Sequence, residues 1–369
     1  MRAGAGGWRW GVVAVGLAGL VSLPLAVGAL PARSDPASTT DLVDAVRRSG
    51  TQGYSGYAEA VGGLSLPLTE DFSTLTDLFG DRARLRVWWR GDQDWRVDTV
   101  QATGETGLYR DVEGLWTWEY ERGTALRTTE AAVRLPRAAD LEPAALGRRL
   151  LSEAGPAELS RLPARRVADR SAPGLRLRPA DPASTVERVD VWVDRGTGVP
   201  LRVEVYGVGS ARPVVETSYL DFSPMSPPAG TTRFAPPYPE RVRRELNPDL
   251  AAAIDVFSPV VPPLRLAGLP VRTRVQGLGS VGTYGTGLTV LVAVPLPGRV
   301  SRPLREQLSG TPGTAPTALG VRLTVGPLSL LLTDPAGRRS WLLTGTVSAQ
   351  TLDRAAGEIA ADPPVEEPG

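Results

Sequence analysis

Four carboxylates, Glu119, Glu121, Asp190 and Asp194, stand on segments whose alternation places them on wet strand faces. Two such groups facing one another are the working parts of a glycoside hydrolase. Carboxylates are also common on exposed strands, so this is the remote reading. Gly279, Gly282, Gly285 and Gly287 resemble a phosphate-binding loop only in glycine content. No Gly-Lys-Ser/Thr follows them and the chain has no lysine at all, which removes Walker chemistry and leaves turns and strand edges as their role. The 369 residues contain no histidine and no cysteine. That takes away the commonest general base, the serine–histidine triad, the thiol nucleophile, thiolate metal sites and disulfides. The expectation is a protein that binds and is not an enzyme, with no metal and no cofactor. With 41 basic against 40 acidic residues there is no global field to attract nucleic acid.

The densest signal is aromatic. Trp88, Trp89, Trp95, Tyr109, Trp116, Trp118 and Tyr120 crowd one stretch. Alternation gives Leu85, Val87, Trp89, Trp95, Val97, Trp116, Trp118 and Tyr120 the parity to share one sheet face, and these eight are the candidate lining of a hydrophobic cavity for a lipid or acyl chain. The competing reading is ordinary sheet core, because aromatics favour strands and bury large areas. The pairs Arg47-Arg48, Arg165-Arg166, Arg243-Arg244 and Arg338-Arg339, with Arg241, suit an anionic lipid or an acidic partner, or simply a solvated surface.

The elements that would position these residues are mainly strands. Thr40 to Arg48 reads as a helix capped by Thr40 or Asp41, with Leu42, Val43 and Val46 on its apolar stripe. A strand runs from Tyr54 to Leu64, and a short helix from Asp71 to Phe79. From Arg84 the period is two, through the Gly91-Asp92-Gln93-Asp94 turn and on to Tyr120: an antiparallel meander. Asp140 to Ala154 interrupts it as a helix capped by Asp140. Strands resume near Arg165, with a hairpin from Val189 to Val205 and a last strand from Val214 to Phe222.

Residues 223–247 then form a proline-rich linker, expected to be extended, to pack into neither sheet and to be the first site of limited proteolysis. A smaller domain, residues 248–361, holds a helix near Leu250 to Phe257, strands at Leu288 to Val294, Gly320 to Thr333 and Ser340 to Thr346, and a closing helix from Ser348 to Ala361 striped by Leu352, Ala355 and Ile359. Residues 362–369 form a flexible tail.

At the other end, Arg2 and Arg9 precede an uncharged stretch, and Gly11 to Leu30 is long enough to cross ~30 Å of hydrocarbon as a helix. Residues 1–32 therefore read as a signal peptide, with Val27-Gly28-Ala29 as a cleavage site, or as a retained signal anchor. The rest of the chain is then exported to the extracytoplasmic side of the membrane.

Several segments carry a resemblance: Tyr54-Ser55-Gly56-Tyr57; Val87-Trp88-Trp89-Arg90 to Asp94-Trp95-Arg96-Val97-Asp98; Trp116-Thr117-Trp118-Glu119-Tyr120; and Val191-Trp192-Val193-Asp194 to Gly198-Val199-Pro200-Leu201-Arg202-Val203. Together they resemble the LolA/LolB lipoprotein-carrier superfamily, and within it the RseB/MucB branch of sigma-E regulators. Asp-x-x-Thr-Gly-x-Pro-Leu is the most specific piece. The likeness covers Thr40 to Phe222. A weaker one, in Tyr284 to Thr289 and Leu343-Thr344-Gly345-Thr346 leading into Leu352-Asp353-Arg354, covers the second domain.

The resemblance implies an α+β protein: a half-open curved antiparallel β-barrel packed on helices across residues 38–222, then a smaller α+β domain. It implies a regulator that binds an anti-sigma factor or similar membrane protein and responds to lipid. The alternative is a lipid or lipoprotein carrier. A chain lacking residues 1–32 is expected to stay in the cytoplasm, because no other apolar run is long enough to direct export. Cell fractionation checks this, and recovery of the truncated form outside the membrane would contradict it.

Overall fold

The computed structural model describes residues 37–62, 82–101, 104–128, 137–237, 242–245, 260–272, 279–335 and 339–364. The expected membrane segment, the helix at 71–79, the helix at 250–257 and most of the tail lie outside the described residues. Among those described, no helix is long and apolar enough to cross a membrane.

The first helix, α1 (Thr39–Arg48), starts one residue earlier than the spacing suggested. Its cap is Ser38, whose hydroxyl accepts the Asp41 amide, while Asp41 returns a bond to the Ser38 amide. Asp41 thus sits in the first turn, where a carboxylate also meets the positive end of the helix.

Twelve strands follow: β1 (Tyr54–Gly62), β2 (Arg82–Gly91), β3 (Asp94–Gln101), β4 (Gly104–Asp111), β5 (Gly114–Glu119), β6 (Thr124–Thr128), β7 (Leu159–Val167), β8 (Arg170–Leu177), β9 (Val186–Val193), β10 (Pro200–Gly207), β11 (Val215–Ser223) and β12 (Val242–Glu245). They form one sheet in the order β12-β6-β5-β4-β3-β2-β1-β11-β10-β9-β8-β7. The sheet curves enough for β7 to touch β11, but it does not close into a barrel.

Two helices cover one face. α2 (Pro143–Leu151) is shorter than expected, because a 3-10 turn, Ala138–Leu141, precedes it. Asp140 accepts the Arg137 amide of that turn, and the cap of α2 is Glu142. The Glu142 carboxylate is fully buried. It accepts the amides of Ala144 and Ala145 and the hydroxyls of Tyr54 on β1 and Tyr219 on β11. A buried carboxylate survives only if its oxygens are satisfied, and here satisfying them fastens the helix to two strands that are neighbours in the sheet. Burial first, and the Glu142 charge second, push both phenols well above the ordinary tyrosine range. Leu42, Val43, Val46, Leu141, Ala144 and Leu151 pack in one core with Leu85, Val87, Val97, Val191 and Val203.

A second sheet holds β15 (Gly282–Tyr284), β16 (Leu291–Pro297), β17 (Thr314–Thr317), β18 (Gly320–Val325), β19 (Leu328–Thr333) and β20 (Arg339–Gly345), after a two-residue ribbon of β13 (Arg265–Leu266) and β14 (Leu269–Pro270). The expected single strand from Gly320 to Thr333 is a hairpin, broken where Gly326 takes φ 55° before Pro327. Helix α3 (Gly298–Ser309) was not anticipated, since Pro303 lies inside it. Leu304 and Leu308 of α3 pack with Leu296, Leu323 and Leu332. On the other face, Leu352, Ala355 and Ile359 of α4 (Ala349–Ala361) pack with Leu291, Leu331 and Leu343, as the stripe suggested. Helices on both faces explain the apolar runs Leu330–Leu332 in β19 and Trp341–Leu343 in β20.

The two sheets meet through backbone bonds. Thr185 N donates to Thr346 O at 3.0 Å, and Ser348 N to Ala183 O at 2.8 Å, around a Ser184–Val347 bridge. In the glycine-rich stretch Gly282 opens β15 and Gly287 lies in the turn that follows it, where its amide donates to Glu153 at 2.9 Å.

The Asp-x-x-Thr-Gly segment acquires a structural reason. Asp194 accepts the Thr197 amide and hydroxyl and, on its other oxygen, Arg170. Gly198 follows with φ 73°, and a Cβ there would lie 2.5 Å from the Ala45 carbonyl oxygen of α1. Gly198→Ala is expected to cost ~1–3 kcal/mol from the left-handed backbone alone, with the collision against α1 added. An unchanged urea midpoint would show that the turn does not hold the helix.

Candidate functional site

The pairing registers decide which side chains share a face. On β2 and β3, Leu85 pairs with Thr99, Val87 with Val97 and Trp89 with Trp95, so Leu85, Val87, Trp89, Trp95 and Val97 do lie together. They face α1 and α2. Leu85 and Val87 are 0 % exposed and Val97 1 %, so their surfaces are spent on packing. Trp89 stacks between Trp95 and Tyr54 at 5.8 and 5.9 Å, has the Arg148 guanidinium 4.6 Å from its ring centre, and donates its indole N–H to Gly50 O.

Trp116, Trp118 and Tyr120 belong to the opposite face. Trp95 pairs with Arg110, which pairs with Leu115, and Trp116 pairs with Tyr109 and Arg127. The expectation that all eight share one face is therefore corrected: parity holds within a strand, but each turn resets it according to its length and register. The second face has its own floor. Tyr109, Trp116, Trp118 and Ala125 form a hydrophobic cluster separate from the core. Beside it the Arg96 guanidinium lies between the rings of Trp88 and Tyr109, at 4.6 and 4.8 Å, held by both oxygens of the buried Asp98 and by the Tyr120 hydroxyl. Burial, then the bond to Tyr120, push the Tyr109 phenol far above its usual range.

The cover over this cluster comes from the segment expected to be a free linker. Phe234 packs its ring on Tyr109, Trp116 and Trp118 at centroid distances of 5.0, 5.1 and 5.9 Å. Its amide donates to Asp111 at 3.4 Å, and Arg90 donates to Pro227 O at 2.5 Å. Eight residues on, Val242–Glu245 pairs in parallel with Ala125–Thr128 as β12, and Val242 joins the cluster. The expectation that this stretch would pack into neither sheet fails at 242–245, which contain no proline and keep their amide donors. Phe234 was missed as a site residue, although an aromatic inside a proline-rich stretch was the available signal.

Beyond the cluster the same face carries ion pairs. Arg176 meets Asp190 through two bonds of 2.6 Å, and Arg202 joins Glu204 to Glu216. Burial raises the pKa of Glu204, but the Tyr206 hydroxyl and Arg202 outweigh it and hold the group below the usual range. Asp190 and Asp194 are thus taken up by arginines, Glu119 by Arg122 and Thr124, and Glu121 by the Glu105 amide. Each of the four carboxylates once considered for hydrolysis has a structural partner. Arg47 closes the C-terminal end of α2 by donating to Leu151 O and Ala154 O. An open cleft of about 320 Å³, lined by Arg165, Arg166, Arg202, Ser218, Tyr219 and Leu220 among others, lies where β7 curls toward β11.

No family model matches this chain. No curated protein matches it either. Among solved structures it is similar to MucB in complex with MucA(peri), at 15 % identity and a TM-score of 0.49 over 86 % of this chain and 97 % of that one. The Pseudomonas aeruginosa MucA/MucB complex gives 16 % and 0.49 over 87 % and 97 %. A LolA-superfamily protein from Nitrosomonas europaea gives 14 % and 0.25 over 54 % and 98 %. MucB and LolA-superfamily proteins, the group that the sequence motifs resemble, are thus among its structural neighbours.

Trp89→Ala is expected to cost ~3–5 kcal/mol, as for a large side chain removed from a packed core. Trp118→Ala should cost less, because its cover is a single ring from a connecting segment, Phe234, and not a packed helical layer. Chemical denaturation compares the two, and a larger loss for Trp118→Ala would make the second cluster part of the main core.

Proposed function

We propose that this chain is a non-enzymatic extracytoplasmic binding protein, a regulator in a sigma-factor pathway that binds the outer segment of an anti-sigma factor or a similar membrane protein. One observation carries the binding part: the sheet keeps a second aromatic cluster on the face away from its helices, and a connecting segment covers it, not a layer of the fold. Aromatic side chains in a pocket with a rigid floor are what binding surfaces concentrate. The choice of partner rests on the motif resemblance. The domain plan that goes with it is a body of residues 38–222, a joint at 223–247 and a smaller domain at 248–361, exported behind residues 1–32 and either anchored or released.

Lipid is the proposed signal and not the cargo. The carrier alternative needs open space between sheet and helices, where Leu85, Val87 and Val97 have no surface to spare. The eight candidate lining residues accordingly divide into five that support the core and three, Trp116, Trp118 and Tyr120, that belong to the binding face. Calorimetric titration of the full chain with the extracytoplasmic segment of an anti-sigma factor from the same cell tests the reading, repeated with anionic phospholipid vesicles present. Binding that the vesicles weaken is expected. No heat from the segment, together with tight retention of an acyl probe, would favour the carrier.

A further inference from the structure

The stretch from Pro227 to Glu245 behaves less like a tether than like a bound peptide. After the single helical turn Ala229–Thr232 it places one aromatic anchor in a three-ring pocket, and its residues 242–245 add a strand to an open sheet edge. Anchor plus strand addition is a recognised mode of peptide capture, with backbone bonds giving affinity and the pocket giving selectivity. Its pairing is parallel, whereas the other pairings of this sheet among the described residues are antiparallel. A strand that arrives in the opposite sense, without a hairpin, uses the edge as an incoming chain would.

We propose that residues 227–237 and 242–245 are a resident pseudo-ligand. They occupy a docking groove made of Tyr109, Trp116, Trp118 and the β6 edge, and a partner binds by displacing them with an extended segment of the same chemistry. That segment carries an aromatic residue about eight positions before a short strand that runs parallel to β6. The inference rests on the proposed function for the nature of the partner, but the groove and its occupant stand on geometry.

The energetics favour exchange. A four-residue helical turn is far too short to hold itself. Among the described residues the hold therefore comes from Phe234, Val242, the buried Pro227 and Thr232, the short β12 ladder and the two side-chain bonds at Asp111 and Arg90. Segments with so few buried apolar contacts open at a small fraction of the global unfolding free energy. What keeps the groove filled is tethering, since a covalently linked ligand has an effective concentration in the millimolar range. The strap thus sets the threshold that a partner must beat, and it shields apolar rings and a sheet edge that would otherwise invite aggregation.

The probe is a fluorescein-labelled peptide of residues 231–246, titrated by polarisation against the full-length chain. Phe234→Ala with Val242→Pro is expected to bind it at least about tenfold more tightly than wild type, because the tethered competitor is weakened. Adding Trp118→Ala, or replacing the phenylalanine of the peptide by alanine, should reverse the gain. Equal affinity for wild type and the double variant, or no binding to either, overturns the proposal.

Should the double variant lose its cooperative melt, hydrogen exchange on the wild type decides. Amides 242–245 should exchange at least about tenfold faster than those of β9 and β10, and equal protection overturns the proposal. Because the probe is the chain's own segment, peptide binding without any response to an anti-sigma segment would sink the proposed partner alone. The reverse result would sink only the strap.

Discussion

A β-sheet has two faces, and alternation sends side chains to both. In this protein the fold provides a helical layer for one of them. Tyr54, Leu85, Val87, Val97, Val191 and Val203 meet α1 and α2 there, and the Glu142 cap fixes α2 across β1 and β11. Everything on the other face has to be solved without helices. From β7 to β11 the solution is electrostatic, with arginine–carboxylate pairs and guanidinium groups laid on Trp192 and Tyr206. From β3 to β6 the same face carries large aromatic rings, on which Arg96 and Arg127 lie in part and which Phe234 closes over.

That mismatch connects the architecture to binding. The Asp190 and Glu204 carboxylates of these pairs are nearly buried beneath their arginines, so the charged half of the face is covered by its own guanidinium groups. The aromatic half has a hydrophobic surface that needs a cover, and the chain supplies Phe234 and Val242 from the connection between its two sheets. The connection consequently does three things at once: it spans from one body to the other, it closes an apolar cluster, and it pairs with a sheet edge. The junction at Ser184–Val347 and Glu153 already links the two bodies independently of it. Release of residues 227–245 therefore need not separate them.

The motifs that resemble a known superfamily find mechanical explanations here. Asp194, Thr197 and Gly198 build a turn that closes on the α1 backbone, so the acid, the hydroxyl and the missing side chain are each needed for geometry. Trp88 serves as a platform for Arg96 and Trp89 as a stacked core ring, although they are adjacent in sequence. Neighbouring tryptophans on one strand end up in two different environments because the pleat points them apart.

The sequence by itself determined what depends on local spacing and on residue type. Missing histidine, cysteine and lysine removed most catalytic chemistry. The stripes of Leu42, Val43, Val46 and of Leu352, Ala355, Ile359 gave their helices, and alternation gave the strands of the meander and the hairpin. Tertiary structure decided what depends on register and on contacts distant in the chain. Parity along β2 cannot be carried through three turns to β5, so only the ladder shows that Trp118 and Leu85 lie on opposite faces. Nothing local marks Glu142 as the buried cap, since its tyrosine partners are 88 and 77 residues away. Nor does a proline-rich composition reveal that Phe234 and Val242 dock, because the surface that receives them is assembled from three strands, β4, β5 and β6, and exists only once the sheet has formed.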